Sequence, residues 1–443
     1  MKDSVDSPRD GPRAGGRSGT PHGSGRPDRI VILNDSASAR GGATALARRL
    51  ALHLASEGTA VTFFCGELGE DAAAPDGPLS EQGVDVVCLG QARLLERGAL
   101  AAARTGLWNR AAFDRLTQWI AAHDTPQTVY HLHGWAQILS PAVFAALAPV
   151  AARTILHAHD FFLACPNGVY LEHSSGTVCA RTPLSVSCLR TQCDKRSGAQ
   201  KLWRVMRHRT LRRYLQGQDW SAVAMIHPGM AEPLTRGGID PARLRLALNP
   251  AEPLTSERIP AERNRRVAFI GRLVPEKGAV DLAVAAAKLG LDVTFVGEGA
   301  DRAMIRACLP DAVITGWQER ASIGRHLQDV RALVMPSRVP EPFGLVAAEA
   351  SLSGLPVIVP EISLVSQSVA EDGLGLSYAP GAEGLRGALR QITEMPDAQV
   401  REMSQRGAAA DPGLAQSPDA WVAGLRALYA EALQGAPAKA RAS

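Results

Sequence analysis

The chain has 443 residues, of which 46% are hydrophobic and 21% are charged, and its formal net charge is +4 at pH 7. This length predicts two domains, and so mild a positive charge does not indicate a nucleic-acid-binding protein; it suits an anionic small molecule or an anionic membrane surface. Apolar runs fall short of the ~20 residues that a membrane-spanning helix needs.

The first 28 residues are rich in Gly, Pro, Ser, Arg and Asp. Such a composition predicts a disordered tail, with a membrane-touching arm as the alternative. The segment lacks the apolar stretch of an export signal. We therefore expect a cytoplasmic protein, in which structural disulfides are uncommon.

Residues 29–250 alternate between strand-like and helix-like patterns. The run RIVILND (29–35) predicts a strand, and the next helix carries Leu46, Leu50 and Leu54 at a four-residue spacing and stops at Gly58. Further apolar runs follow: AVTFFCG, DVVCL, TVYHLHG, RTILHAHD and SAVAMIH. This alternation predicts a Rossmann-like domain with a parallel sheet covered on both faces.

A segment rich in Pro, Glu, Ser and Arg, residues 249–264, predicts a linker, after which the alternation restarts at RRVAFIG. Residues 265–415 therefore predict a second Rossmann-like domain, and residues 416–435 predict an amphipathic helix that packs back on the first. The predicted fold class is α/β, with two doubly wound domains facing each other. Ligands of such sheets bind at the carboxyl ends of the strands, so we expect a cleft there.

The stretch MPSRVPEPFGLVAAEASLSGLPVIV (335–359) is the most informative. It predicts a strand, a proline-rich loop and a helix that begins near Gly344, whose free N–H groups suit a phosphate or a sugar oxygen. Glu341 and Glu349 could accept hydrogen bonds from a vicinal diol. The alternatives are an exposed helix residue with a cap, or the acid/base pair of a glycosidase.

The stretch IGRLVPEKG (270–278) places Arg272 and Lys277 in a loop that follows a strand. Two cations at this position suit a bound anion, and a solvated basic turn is the alternative. The segment VGEG (296–299) also follows a strand, but it lacks the last glycine of GxGxxG and is a weak signal by itself.

Together these stretches resemble the donor-binding domain of GT-B glycosyltransferases, in particular retaining family 4, the glycosyl transferases group 1. The resemblance rests on Gly271-Arg272-Leu273 with Lys277-Gly278, on Val296–Gly299, and on Glu341-Pro-Phe-Gly-Leu through Glu349. It implies a GT-B fold and transfer, with retention, from a nucleotide-diphosphate sugar to a polysaccharide, a glycolipid or a related acceptor. It also implies that no metal or other cofactor is required for catalysis.

The resemblance also implies roles for single residues. Arg272 and Lys277 would hold the diphosphate, Glu341 the donor-sugar hydroxyls, and Glu349 the ribose diol. His159 would face the donor sugar, which completes the implied catalytic set of His159, Glu341, Arg272 and Lys277. Backbone groups of the donor site would come from Gly41, Gly42, Gly271, Gly297, Phe343, Gly344 and Leu345.

Four histidines lie at two predicted strand ends: His131, His133, His157 and His159. We assign His133 to the acceptor side. His157 shares a face with His159 if the strand is regular. Hydrogen-bonded structural histidines and a metal cluster are the alternatives.

Cysteines are concentrated in an insert, residues 163–197, which holds Cys165, Cys179, Cys188 and Cys193. A structural zinc ion is one interpretation, and free thiols, disulfides or an iron–sulfur cluster are the others. The basic segment KLWRVMRHRTLRRYL follows. It predicts a helix that contacts an anionic membrane or a lipid-linked acceptor; a helix with a solvated basic face is the alternative.

Two rival functions remain for the protein: a nucleotide-sugar epimerase or hydrolase, and a non-catalytic binding or scaffold protein.

Overall fold

The computed structural model describes residues 25–38, 41–67, 77–409 and 413–435. The tail predicted for residues 1–28 therefore lies mostly outside the described residues, which begin at Gly25. Within these ranges no helix is both long enough and apolar enough to cross a membrane.

The first domain contains these described strands: β1 (Arg29–Asn34), β2 (Ala60–Cys65), β3 (Asp85–Cys88), β4 (Thr128–Leu132), β5 (Thr154–Ala158), β6 (Leu171–Glu172), β7 (Thr177–Val178), β8 (Ala222–Met225) and β9 (Leu244–Leu246). Seven of them form a parallel sheet in the order β3-β2-β1-β4-β5-β8-β9, and β6 and β7 pair as a hairpin in the cysteine-rich insert. The strand β9 was not predicted, because it has only three residues and none of them is fully buried.

Helices cover this sheet: α1 (Gly42–Ser56), α2 (Ala99–Leu107), α3 (Arg110–His123), α4 (Ala142–Leu147), α5 (Val186–Arg190), α6 (Gly198–Leu215) and α7 (Ala231–Arg236). In α1 the predicted stripe of Leu46, Leu50 and Leu54 is buried against the sheet. Burial of each such leucine contributes roughly 2 kcal/mol. The stripe fixes α1 with its N-terminus at the carboxyl end of β1.

The second domain repeats this architecture with strands β10 (Arg266–Ile270), β11 (Val293–Val296), β12 (Val313–Ile314), β13 (Val330–Val334), β14 (Val357–Pro360) and β15 (Gly375–Tyr378). They form a parallel sheet in the order β12-β11-β10-β13-β14-β15. Its helices are α8 (Ala279–Leu289), α9 (Arg302–Cys308), α10 (Arg320–Ile323), α11 (Leu345–Leu352), α12 (Ser366–Glu371), α13 (Ala382–Glu394) and α14 (Asp397–Ala409).

The last helix, α15 (Pro418–Gln434), lies against the first domain. Trp421 and Tyr429 are fully buried in the cluster that holds the α1 leucines. The segment between the domains is irregular but packed, since Leu254, Ile259 and Ala261 are buried in the core. The predicted linker is therefore packed against the core over part of its length.

Cys65 and Cys88 form a disulfide between neighbouring strands. They are register partners on β2 and β3, and their Cα atoms are 4.7 Å apart. This pairing differs from the expectation of reduced thiols. The sequence did not indicate this disulfide, because Cys65 and Cys88 become neighbours only when β2 and β3 pair in the sheet.

His208 of α6 is buried, and burial lowers its pKa to about 3. A histidine kept neutral in the folded state binds its proton mainly on unfolding. The stability that it contributes is therefore complete above pH ~6.5 and is lost as the pH falls towards its folded pKa.

Between pH 6 and 4 we expect the unfolding free energy of His208→Gln to depend on pH less steeply than that of the wild type, by about 1.4 kcal/mol per pH unit. Urea titrations at several pH values measure this difference. The exposed control His123→Gln should keep the wild-type slope, and an equal slope in His208→Gln would contradict the prediction.

Candidate active site between the two domains

Lys277 and Glu341, 64 residues apart, form an ion pair at the carboxyl end of the second sheet. The Ser337 hydroxyl donates to the same Glu341 carboxylate oxygen at 2.9 Å. Arg272 lies exposed in the loop that carries Lys277. The two predicted donor motifs thus meet, with one cation paired to a carboxylate and a second cation open to solvent.

Glycines let these loops approach each other backbone to backbone. Gly278 has φ +69°, and a Cβ there would lie 1.9 Å from the Pro336 carbonyl oxygen. A Cβ at Gly297 would lie 2.0 Å from the carbonyl oxygen of Gly271. No side chain fits at either position, so the glycines are required by the contact between the loops.

Two helix N-termini, one from each domain, meet across the cleft. Gly344 precedes α11 with φ +75°, and the Leu345 side chain reaches the first domain. A Cβ at Gly42, the first residue of α1, would lie 2.8 Å from Leu345 Cδ1. Since helix N-termini carry free N–H groups and partial positive charge, this junction suits an anion. Gly41 precedes α1, and Phe343 is buried directly before Gly344.

Glu349 lies more than one turn inside α11 and forms an ion pair with Arg320. Burial raises the pKa of Glu349, and Arg320 opposes that shift. Arg320 also donates to the Glu252 carbonyl oxygen at 2.7 Å, in the segment that joins the domains. Sequence reasoning missed Arg320, which stands in a short helix without a motif.

The first domain has a cavity of about 240 Å³ at the carboxyl ends of β1, β4 and β5. His133 and His159 line it, with Asp35 and Asp160 beside them. The Asp35 carboxylate accepts three backbone N–H bonds, from Gln137, Ile138 and Leu139, at 2.7–2.8 Å. Burial raises the pKa of both carboxyls, that of Asp160 to about 6.

Arg207 lies under this cavity and not on a basic surface. Its guanidinium stacks on Trp135 at 5.0 Å and donates to the Ala136 carbonyl oxygen at 2.8 Å. Burial lowers the pKa of Arg207 to about 10, although the negative charge of Asp35 acts in the opposite direction.

Sequence reasoning missed Asp35 as a site residue, although its position directly after the first strand was a usable signal.

Glu67 organises the loop that follows β1. Its carboxylate accepts hydrogen bonds from the hydroxyls of Ser36 and Ser38, and it lies 3.9 Å from Arg93. Ser36 and Arg93 also line the cavity. These residues were not predicted, because no motif joins positions so far apart in the chain.

The four strand-end histidines form one hydrogen-bonded array. His133 Nδ1 lies 2.9 Å from His159 Nε2, and His131 Nε2 lies 3.0 Å from His157 Nδ1. Burial lowers the pKa of all four, that of His159 to about 4. The array is therefore neutral at physiological pH.

The four insert cysteines are not gathered around one point. No three of their sulfurs lie within 4.8 Å of one another among the described residues. The buried Lys201 ammonium instead lies 2.9 Å from Cys193 Sγ and 3.9 Å from Cys188 Sγ. A tetrahedral zinc site needs closer sulfurs, so the zinc ion stays a prediction that metal analysis of the protein would test.

The insert and the helix that follows it touch the cleft. Lys195 forms an ion pair with Glu276 in the loop of Arg272 and Lys277. The hairpin residues Ser175 and Gly176 line a cavity of about 380 Å³ with residues of the second domain. The predicted basic face of α6 is smaller than expected, since Lys201 and Arg207 are buried and Arg204 pairs with Asp194.

Comparison with known proteins finds a family match in the second domain. Residues 255–409 match the family Glycosyl transferases group 1. A glycogen synthase of Mycobacterium tuberculosis (strain H37Rv) is 28% identical over 271 residues, which are 56% of this chain and 62% of that protein. A GDP-mannose-dependent alpha-mannosyltransferase of Mycolicibacterium smegmatis is 40% identical over 95 residues, 21% of this chain and 25% of that protein. The matches thus span less than two thirds of either relative.

Solved structures extend the likeness to both domains. Sucrose-phosphate synthase from Thermosynechococcus elongatus has a TM-score of 0.66 at 17% identity, over 92% of this chain and 100% of that one. HepE of Anabaena, in complex with UDP and glucose, has a TM-score of 0.59 at 16% identity, over 92% and 100% of the two chains. The predicted fold of two doubly wound Rossmann-like domains is confirmed: the chain has the GT-B fold, and its residues 255–409 match the Glycosyl transferases group 1 family.

Proposed function

We propose that the protein is a retaining glycosyltransferase that moves a sugar from a nucleotide-diphosphate sugar to a carbohydrate or lipid-linked acceptor. The observation that carries the proposal is the contact of Leu345 with Gly42, which brings the N-termini of α11 and α1 together. A diphosphate at this junction would meet two sets of backbone N–H groups. The positive charge comes from Arg272 and Lys277. Their loop follows β10 and α11 follows β13, so both lie at the carboxyl end of the second sheet.

The two cations replace the divalent metal that other transferases use. As the nucleotide leaves, negative charge builds on its terminal phosphate, and fixed positive groups stabilise that charge. Glu341, held by Lys277 and Ser337, would accept hydrogen bonds from donor-sugar hydroxyls. Backbone N–H groups of Phe343, Gly344 and Leu345 would contact sugar or phosphate oxygens.

His159 and the first-domain cavity would hold the sugars. The neutral His159 uses Nε2 towards His133, which leaves Nδ1 for a donor-sugar hydroxyl. The acceptor would enter the cavity beside His133, Asp35 and Asp160. A sugar hydroxyl in this cavity would find both carboxylate acceptors and imidazole partners.

The proposed reaction is a front-face displacement. The bond between the anomeric carbon and the phosphate oxygen breaks, and the acceptor oxygen bonds to the same face of that carbon. The departing phosphate oxygen takes the acceptor proton. The products are a glycoside with retained configuration and a nucleoside diphosphate, so the step needs no protein nucleophile.

A thermal-shift panel of UDP, GDP, ADP and dTDP with their sugars tests the proposal first. A ligand that binds only the folded state raises the melting temperature, and one base should stand out. Product analysis with that donor, with and without added glycan acceptors, should show acceptor-dependent transfer. Release of free sugar or an epimer alone would support the hydrolase or epimerase, and binding without turnover would support the non-catalytic rival.

Replacement of Glu349 by glutamine should weaken binding of the nucleoside diphosphate. We expect a roughly 10-fold rise in Kd, because an amide is a weaker acceptor for the ribose hydroxyls than a charged carboxylate. Calorimetry with the ribo- and 2′,3′-dideoxynucleotides measures it: the variant should lose the wild-type preference for the ribonucleotide. Glu402→Gln, exposed on α14, is the control. An unchanged preference in Glu349→Gln would place the ribose elsewhere.

We also propose that the protein is cytoplasmic and that it contacts the membrane through α6. Leu202 and Met206 lie one turn apart and are 62% and 47% exposed, with Arg209 and Arg213 exposed on the same helix. Exposed apolar side chains near cations suit an anionic bilayer surface.

Co-sedimentation should show binding of the protein to phosphatidylglycerol vesicles and little binding to phosphatidylcholine vesicles. Leu202→Ser with Met206→Ser should reduce it severalfold, whereas Leu246→Ser, exposed on β9, should not.

A further inference from the structure

We propose that His131, His133 and His157 bind one divalent transition-metal ion, of the zinc, cobalt, nickel and copper class, inside the first domain. One nitrogen from each ring can be chosen so that all three lie within 4.8 Å of one another. The side chains are 0%, 4% and 4% exposed. This site is distinct from the cysteine insert and goes beyond the proposed transfer reaction, which uses no metal.

The sheet itself assembles the three rings. Strands β4 and β5 are parallel neighbours with His131 opposite Ile155. Alternate residues of a strand share a face, so the histidines of β4 and β5 form two adjacent rows. The ring centroids of His131, His133 and His157 are 4.1 to 5.1 Å apart, which gives a compact triangle.

Nitrogen separations in this triangle suit a small ion. His131 Nε2, the nitrogen that does not face Tyr429, lies 3.0 Å from His157 Nδ1. Nitrogens bound tetrahedrally to zinc are about 3.4 Å apart. The contact of His131 with His157 is close to this spacing, and one nitrogen from each of the three rings lies within 4.8 Å of the other two, so ring rotations would bring them onto a common centre.

The array also has more polar nitrogens than protein partners. His157 Nε2 is buried without a hydrogen-bond partner among the described residues. An unpaired buried polar atom is costly, so the His157 ring gains from any rearrangement that gives both of its nitrogens a partner, as binding of an ion would.

The surroundings supply a supporting group and balancing charge. The Tyr429 hydroxyl of α15 lies 2.8 Å from His131 Nδ1, which fixes the orientation of that ring. His133 and His157 line the 240 Å³ cavity together with the carboxyls of Asp35 and Asp160. These carboxyls can offset part of the charge of the ion, and the cavity gives access to it.

A bound ion would support the proposed sugar site by fixing the positions of its histidines. His159 lies 2.9 Å from His133, so a metal that holds His133 also fixes the imidazole that faces the cleft. His159 itself stays outside the proposed ligand set. The ion thus acts as a structural anchor one layer behind the sugar site.

The test uses the full-length protein, stripped with a chelator and then titrated with Zn²⁺ or Co²⁺. We expect one equivalent per chain, a rise in melting temperature, and cobalt absorption bands in the visible region without the near-ultraviolet charge-transfer bands of thiolate ligands. His131→Gln and His157→Gln should each lose the equivalent, and the exposed control His123→Gln should retain it. The double variant Cys188→Ser, Cys193→Ser should also retain it.

Two further arms keep the test decisive. If the glutamine variants do not fold, Tyr429→Phe removes only the hydroxyl that orients His131, and metal affinity should fall by roughly 10-fold. The proposal is overturned if the stripped wild type binds no ion, if thiolate bands appear and the cysteine variant alone loses the metal, or if folded histidine variants bind as the wild type does.

Discussion

The Lys277→Ala variant is expected to lower kcat by on the order of 100-fold or more, the usual effect of losing one group that stabilises transition-state charge. Lys277 is one of two cations in the loop that faces the proposed diphosphate, and its ammonium also holds the Glu341 carboxylate. Its removal leaves the departing phosphate less neutralised and Glu341 without its cation. Initial rates with saturating donor measure the loss in kcat separately from any change in KM.

Lys288→Ala is the matched control for this prediction. Lys288 lies exposed in the last turn of α8, the helix that follows the Lys277 loop. It is the same residue type and about three helical turns from the site, so its removal should leave kcat within about twofold of the wild type. Equal rates for the two variants would show that the loop of Arg272 and Lys277 does not act on the leaving group.

The Gly278→Ala variant is expected to lose on the order of 3–5 kcal/mol of stability and most of its donor binding, since left-handed strain and a backbone clash act at one position. The new Cβ would lie 1.9 Å from the Pro336 carbonyl oxygen at φ +69°. Relief requires the Lys277 loop to move away from the loop that carries Glu341. Chemical denaturation reports the stability, and calorimetry with the donor nucleotide reports the binding.

Gly290, at the other end of α8, provides the control. Its φ is +63°, but a Cβ there would meet nothing within 4 Å. Gly290→Ala should therefore show only the backbone strain, about 1 kcal/mol, with unchanged nucleotide affinity. If both alanine variants lose the same stability, contact between the loops is not the reason that position 278 requires glycine.

The sequence by itself determined the fold class and the two motifs that the structure brings together. Apolar strands alternating with amphipathic helices are local patterns, so the Leu46, Leu50 and Leu54 stripe and most of the succession of strands and helices along the chain could be predicted without coordinates. The motifs around Lys277 and Glu341 lie in loops directly after strands, and parallel topology brings such loops to one edge. For that reason Lys277 and Glu341 meet although 64 residues separate them.

Only the tertiary structure decided what depends on packing between distant segments. Arg207 was predicted as part of a basic face, but its side chain turns inward onto Trp135 and towards the buried Asp35. The disulfide partners and the Lys201 contact with the insert thiols follow from neighbouring elements, which no spacing rule gives. The histidines were visible as residues, yet their burial in one array with Tyr429 arises only when β4, β5 and α15 pack together, because it is burial that excludes water and keeps the imidazoles neutral.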